Sequence, residues 1–85
     1  MFEFGKKYNV RFATTQEVYG TMELVKRTGK IRGFGVNTFE VVVVAINGKK
    51  YYASFNEDSK FMRIMDNNYR AFPRYDAVCS DDVAE

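Results

Sequence analysis

The residue types that usually perform chemistry are sparse in this chain of 85 residues. It contains no histidine, which removes the most common general base and metal ligand. Cys79 is the single cysteine and so has no second thiol for a disulfide or a zinc site; we interpret it as a small buried thiol. Adjacent carboxylates at Asp81 and Asp82 could attract a divalent cation, but such pairs usually remain solvated. We therefore predict a protein that is not an enzyme and uses no metal or cofactor.

The segment over residues 29–35 is rich in glycine and basic residues. A phosphate-binding loop would need glycines that open a helix and a Lys-Ser or Lys-Thr ending, which this segment lacks. Residues 32–39, Arg-Gly-Phe-Gly-Val-Asn-Thr-Phe, resemble the RNA-recognition octapeptide, whose exposed aromatic residues stack on bases. Val36 and Asn37 depart from that pattern, and too little chain precedes it for a helix and a second strand. We therefore interpret the glycines as residues that shape a bend.

A predicted β-hairpin over residues 39–55 organises the chain. The four valines at 41–44 favour a pleated strand, because β-branched side chains lose rotamer freedom in a helix. The dipeptide at 47–48 is Asn-Gly, which tolerates positive φ at both positions and predicts a two-residue type I′ turn. This turn sets the register, with Val44 opposite Tyr51.

The register of the hairpin creates a second apolar face, formed by Val41, Val43 and Tyr52. Because both faces of the hairpin are largely apolar, both need cover, and a short chain has little with which to cover them. Exposed apolar patches of this kind mark protein interfaces. We therefore predict that these three residues contact a protein partner, either a second copy of the chain or a host protein.

Short strand patterns occur elsewhere in the chain. Apolar and polar residues alternate over residues 2–12, with a break at Gly5. Residues 17–27 fit either a capped helix or a strand, and we favour the strand because Gly20 would cost a helix about 1 kcal/mol relative to alanine. This strand is predicted to turn at Thr28-Gly29. Further short strands are predicted at residues 61–65, 69–72 and 76–79.

This series of short strands and turns predicts an all-β fold, namely a small SH3/Sm-like barrel of five or six strands, with or without one short helix. We assign residues 1–79 to this single domain and residues 80–85 to a short acidic tail, which we expect to be frayed. The longest apolar run, residues 41–46, is far shorter than the ~20 residues of a membrane-spanning helix. With a single cysteine, this indicates a cytoplasmic protein without a membrane partner.

Residues 62–78 read Met-Arg-Ile-Met-Asp-Asn-Asn-Tyr-Arg-Ala-Phe-Pro-Arg-Tyr-Asp-Ala-Val. This short apolar strand, turn and aromatic-Arg-Ala-Phe segment resembles the ending of the WYL-like small phage proteins. Tyr69 stands where tryptophan is usual in that family, and Pro73 is inserted. The resemblance implies an Sm-like SH3 β-barrel from a phage or mobile element and transfers no catalytic residue. The broader WYL domains imply nucleic-acid or nucleotide-like ligands. The matching positions are Tyr69, Arg70, Ala71, Phe72, Arg74, Asp76 and Val78.

The formal net charge of +2 is unevenly distributed. Residues 1–75 carry all 13 Lys and Arg against seven acidic residues, whereas residues 76–85 carry four acidic residues. A basic body fits a polyanionic partner, although the same charges also suit a solvated surface. As the alternative to protein interaction, we predict weak nucleic-acid binding that combines phosphate attraction with base stacking. The predicted contacts lie at two hairpin ends and are Lys26, Arg27, Lys30, Arg32, Phe34, Lys49 and Lys50.

Overall fold

Strands account for the regular secondary structure in the computed structural model of the chain, which describes residues 2–56, 59–70, 72 and 78–84. The predicted all-β class is confirmed, and no helix occurs within these ranges. Residues 17–27, which also fitted a helix, lie largely in a strand that begins at Val18. The strands are β1 (Lys7–Arg11), β2 (Val18–Phe34), β3 (Asn37–Ile46), β4 (Lys49–Phe55), β5 (Phe61–Met62), β6 (Ile64–Met65) and β7 (Val78–Cys79).

The hairpin formed by β3 and β4 has the register that the sequence predicts. Val44 lies opposite Tyr51, and Glu40 lies opposite Phe55. The φ angles of Asn47 and Gly48 are 51° and 83°, which are the positive values that a type I′ turn requires. The local turn chemistry therefore fixes which side of the hairpin faces the core.

The Asn47 side chain packs against β2 at Gly20. A Cβ atom at position 20 would lie 2.2 Å from Asn47 Oδ1, well inside van der Waals contact. Glycine at this position thus leaves room for the turn residue. The β3–β4 turn is in this way packed against the strand that precedes the hairpin.

Five strands form one antiparallel sheet in the order β1-β2-β3-β4-β6, and β5 pairs separately with β7. The core lies on one face of the larger sheet, where the hydrophobic side chains are almost completely buried. Residues from the chain ends and from β5–β7 pack against that face, so the core contains residues from all parts of the sequence. The main core residues are Phe2, Tyr8, Val10, Met22, Leu24, Val42, Val44, Ile46, Ala53, Met62, Ile64 and Val78.

Strand β2 runs past the predicted turn and ends at Phe34. The prediction of a turn at Thr28-Gly29 is wrong, because residues 28–30 form a bulge that interrupts the pairing with β3. Gly29 has a φ of 77°, and the Thr28 hydroxyl donates a 2.6 Å hydrogen bond to the Val41 carbonyl. Both a bulge and a turn can place a glycine at positive φ. The residue types alone therefore did not distinguish a bulge from a turn.

Residues 31–39 form a two-stranded ribbon, which we call the arm. Its turn lies at residues 35–36, between the paired residues Phe34 and Asn37. β1 begins opposite Glu23 and β4 ends opposite Glu40, so no other strand of the described chain flanks the arm. The arm therefore extends from the sheet without a flanking strand, and its contacts with the rest of the chain include those of Arg32 with Tyr69 and of Thr38 with the Asn56 amide.

The two sheets do not close into a continuous barrel, but the C-terminal residues link them to β1. Val83 forms an isolated bridge with Tyr8, and the backbone amide of Ala84 donates a 2.9 Å hydrogen bond to the Lys7 carbonyl. The prediction of a frayed tail is therefore wrong for residues 80–84. The acidic composition suggested solvation, whereas Asp82 pairs with a guanidinium on β1.

Other parts of the C-terminal prediction have mixed outcomes. The predicted strand over residues 69–72 is absent at Tyr69 and Arg70, and Tyr69 has a φ of 61°. Ala71 and residues 73–77 lie outside the described residues. Cys79, predicted to be buried, is only partly buried.

The ion pair between Asp82 and Arg11 predicts a pH-dependent stability. Arg11 Nε donates a 2.7 Å hydrogen bond to Asp82, and the Asn9 amide donates another at 2.9 Å. The hydrogen bond from Arg11 makes the largest contribution and the one from Asn9 the next largest, and together they hold the pKa of Asp82 below its ordinary value of 3.8. A carboxyl group with a lowered pKa in the folded state stabilises the fold above its unfolded pKa, and this contribution is lost as pH falls through the folded value. We expect Asp82→Asn to lower the free energy of unfolding at pH 7 and to flatten its decrease below about pH 4.

Urea unfolding followed by circular dichroism at pH 7 and pH 3 measures this effect. Asp81→Asn is the matched control, because the Asp81 carboxylate is largely exposed and lies 3.6 Å from Lys60. If both variants change the free energy of unfolding equally at both pH values, the pH dependence does not come from the Asp82–Arg11 ion pair.

Candidate nucleic-acid interface

Basic and aromatic residues meet on the outer face, which we define as the face of the five-stranded sheet opposite the core. Lys26, Val43 and Tyr52 lie side by side on β2, β3 and β4. Lys50 lies in the next row, opposite Ala45. Strand alternation places these side chains on one face because each is an even number of positions from its neighbour or directly opposite it.

A hollow of about 330 Å³ opens between these residues. Val43 and Tyr52 contribute apolar and aromatic surface, and Lys26 and Lys50 contribute ammonium groups. The Asn67 side chain also lines the hollow and can both donate and accept hydrogen bonds. The hollow therefore offers cations, an aromatic ring and an amide to a ligand.

Tyr69 extends the aromatic surface towards the arm. The Tyr69 ring centroid lies 5.4 Å from the Tyr52 ring centroid. The guanidinium carbon of Arg32 lies 4.6 Å from the Tyr69 ring centroid. A hydrogen bond from Arg32, together with the charge of Lys30, lowers the pKa of Tyr69. The bulge of β2 contains Lys30, so this irregularity brings a further cation to the outer face.

Four of the predicted nucleic-acid contacts therefore share one surface, which we call the basic-aromatic surface. It consists of Lys26, Lys30, Arg32, Lys50, Tyr52 and Tyr69. Glu23 lies on the same side of the sheet, opposite Lys7 on β1 and farther from the arm than Lys26, and Asp66 lines a neighbouring hollow with Lys50 and Asn67. The charge of the basic-aromatic surface is thus positive.

Two predicted contacts lie elsewhere. The Arg27 guanidinium forms an ion pair with Glu40 and lies 5.3 Å from the Phe55 ring centroid. The hydrogen bond from Arg27 lowers the pKa of Glu40, so this pair holds the base of the arm. The Lys49 ammonium lies 5.5 Å from the Tyr51 ring centroid. Neither cation belongs to the basic-aromatic surface, so these two predicted contacts lie apart from the other four basic residues.

The predicted protein interface is largely covered by the chain itself. Val41 is completely buried, and Val43 and Tyr52 are partly buried. The bulge of β2, through Thr28, and the segment around Tyr69 lie over this part of the outer face. The prediction that Val41 is available to a partner is therefore wrong.

The structure also adds residues that the sequence did not indicate. Asn67 and Tyr69 join the site because the loop after β6 folds over the outer face, and no local pattern predicts that contact. Ile31 and Val36 are exposed apolar residues of the arm, next to the predicted contact Phe34. The sequence did not reveal the exposure of Ile31, since an apolar residue in a strand pattern is typical of a half-buried strand.

Neither a metal centre nor a membrane span is found in the described part of the chain. No group of three His, Cys, Asp or Glu residues there could hold a metal ion. The same residues contain no helix with the length and apolar character needed to cross a membrane.

No protein-family model, no curated protein and no solved structure matches this chain. The resemblance of residues 62–78 to the WYL-like small phage proteins stays a prediction. Function is therefore inferred from the geometry of the outer face.

Proposed function

We propose that this protein is a non-enzymatic binding module whose basic-aromatic surface binds single-stranded nucleic acid. The observation that carries the proposal is the convergence of Lys26, Lys30, Arg32 and Lys50 around the paired rings of Tyr52 and Tyr69. Domains that bind single strands combine cations along the backbone with aromatic rings on which bases stack.

Single strands suit this surface better than duplexes. The hollow of about 330 Å³ has Tyr52 and Asn67 in its lining, and an unpaired base can present both a ring face and hydrogen-bonding groups to them. In a duplex, the base faces are stacked on one another and the amide would meet only phosphates or groove edges. The WYL-like resemblance supports the same class of ligand and an origin in a phage or mobile element.

Fluorescence anisotropy with labelled oligonucleotides of about 12 nucleotides, within the usual site size of small binding domains, tests the proposal. Four phosphate contacts predict that the logarithm of the association constant falls with the logarithm of the salt concentration with a slope of about −3 for single strands. DNA and RNA single strands and a duplex of equal length are compared. Absence of binding at low salt, or equal affinity for the duplex, would contradict the proposal.

Protein interaction is the second candidate function. Because Val41 is buried, the observation that now favours it is the exposure of apolar residues on the arm, above all Phe34 and Val36. Light scattering at increasing protein concentration measures self-association. A dimer mass that returns to the monomer mass in Phe34→Ser would support this candidate, and a constant monomer mass would count against self-association.

A further inference from the structure

The arm carries apolar side chains that the fold leaves in solvent. Phe34 is 91% exposed and Val36 is 95% exposed, and Ile31, at the base of the arm, is 62% exposed. An aromatic ring that is so exposed at the end of the arm contributes almost nothing to the core. Its surroundings therefore indicate what it could contact.

The arm is a regularly paired ribbon. Its two strands pair without a shift from Ile31 opposite Glu40 to Phe34 opposite Asn37. Gly33 has a φ of 103°, and a Cβ atom there would lie 2.1 Å from the Asn37 carbonyl oxygen, so the two strands are in close contact. The Arg27–Glu40 ion pair holds the base of the arm. The ribbon thus fixes the backbone position from which the Phe34 ring projects.

The charge around the arm fits a polyanion. Residues 24–39 include four basic residues and no acidic residue. Arg32 and Phe34 are two positions apart on β2, so they share one face of the ribbon and lie about 7 Å apart along it. Arg32 also lies over Tyr69, which places this face in continuity with the basic-aromatic surface.

We propose that the arm extends the nucleic-acid site and that the Phe34 ring stacks on a base of the strand held by Arg32 and Lys30. This inference rests on the proposed function and adds a contact outside the hollow. Base stacking on an aromatic ring is independent of sequence, because every base has a π face. Because the Phe34 ring is uncharged, stacking on it should add affinity without a further phosphate contact.

Alanine at position 34 tests the contact. We expect Phe34→Ala to weaken binding of a single strand of about 12 nucleotides by about 5- to 150-fold, the range for loss of one stacked base, and to leave the salt slope unchanged. Val36→Ala removes apolar surface from the same turn without a ring and should change the affinity less than twofold, about the scatter expected for a surface substitution without a partner. Phe34→Trp should restore binding. Circular dichroism of each variant checks that the fold is intact.

A strand with abasic sites separates stacking from other effects. On this strand, the wild type and Phe34→Ala should bind equally, because the ring has no base to contact. If the wild type shows salt-dependent binding but Phe34→Ala binds equally well to the intact strand, the inference fails and the proposed function stands. If the wild type does not bind, the proposed function fails first. Phe34-dependent binding to vesicles of phosphatidylserine and phosphatidylcholine, without an effect on the strand, would overturn the inference in favour of a membrane contact.

Discussion

Replacing Lys26 and Lys50 together by alanine should weaken the binding of single-stranded nucleic acid by about 25-fold at 0.1 M salt. Each phosphate contact contributes about 0.7 to the slope of the logarithmic salt dependence, so the loss of two contacts lowers the slope by about 1.4. Between 1 M and 0.1 M salt, that difference in slope corresponds to about 25-fold. Both lysines line the hollow, and neither is required for the core. Anisotropy titrations at several salt concentrations measure the affinity and the slope together.

The double variant Lys6→Ala and Lys60→Ala is the matched control. It removes the same net charge from two exposed lysines that pair with Glu3 and Asp81. If both double variants lose affinity to the same extent, the net charge of the protein and not the basic-aromatic surface determines binding. If the double variant Lys26→Ala and Lys50→Ala keeps the wild-type slope of the salt dependence, these two residues are excluded as phosphate contacts.

Replacing Ile46 by alanine should lower the free energy of unfolding by about 2–5 kcal/mol, as truncation of a buried isoleucine leaves a cavity in the core. Ile46 is 1% exposed and lies between Met22 on β2 and the turn into β4. A domain of this length has a total stability of about 4–13 kcal/mol, so the substitution would remove a large part of it. Urea unfolding monitored by circular dichroism measures the change.

Ile31→Ala is the control for this prediction because it makes the same chemical change on the arm, where the side chain is 62% exposed. We expect its effect to stay within about 0.5 kcal/mol. Similar losses of stability in the two variants would show that the core does not depend on Ile46 in the way that its burial indicates.

The hairpin of β3 and β4 was predictable because its determinants are local. Four adjacent valines favour a strand, and the Asn47-Gly48 dipeptide selects one turn type and therefore one register. The end of β2 was not predictable in this way. Gly29 and Gly35 both permit a positive φ, and only the pairing of residues 31–34 with β3 determines that the first forms a bulge and the second a turn.

Strand alternation predicts only part of the site, because a register shift at Val25 is needed to place Lys26, and not Arg27, on the outer face. Alternation separates Lys49 from Lys50 and Lys26 from Arg27, since adjacent residues of a strand point to opposite faces. Grouping these cations by their proximity in sequence overlooked that rule. The contribution of Tyr69 depends on how the loop after β6 packs on the outer face, and residue types near position 69 do not specify it.

The contact between Gly20 and Asn47 limits how relatives of this chain can diverge. A side chain at position 20 needs the space that the Asn47 amide occupies, while the turn restricts position 47 to residues that tolerate positive φ. A relative with alanine or serine at position 20 should therefore carry glycine at position 47 or hold the Asn47 side chain in another rotamer, because the amide is the end of a side chain that can turn away. An alignment of relatives should therefore show covariation between positions 20 and 47, which are distant in sequence but adjacent in the fold.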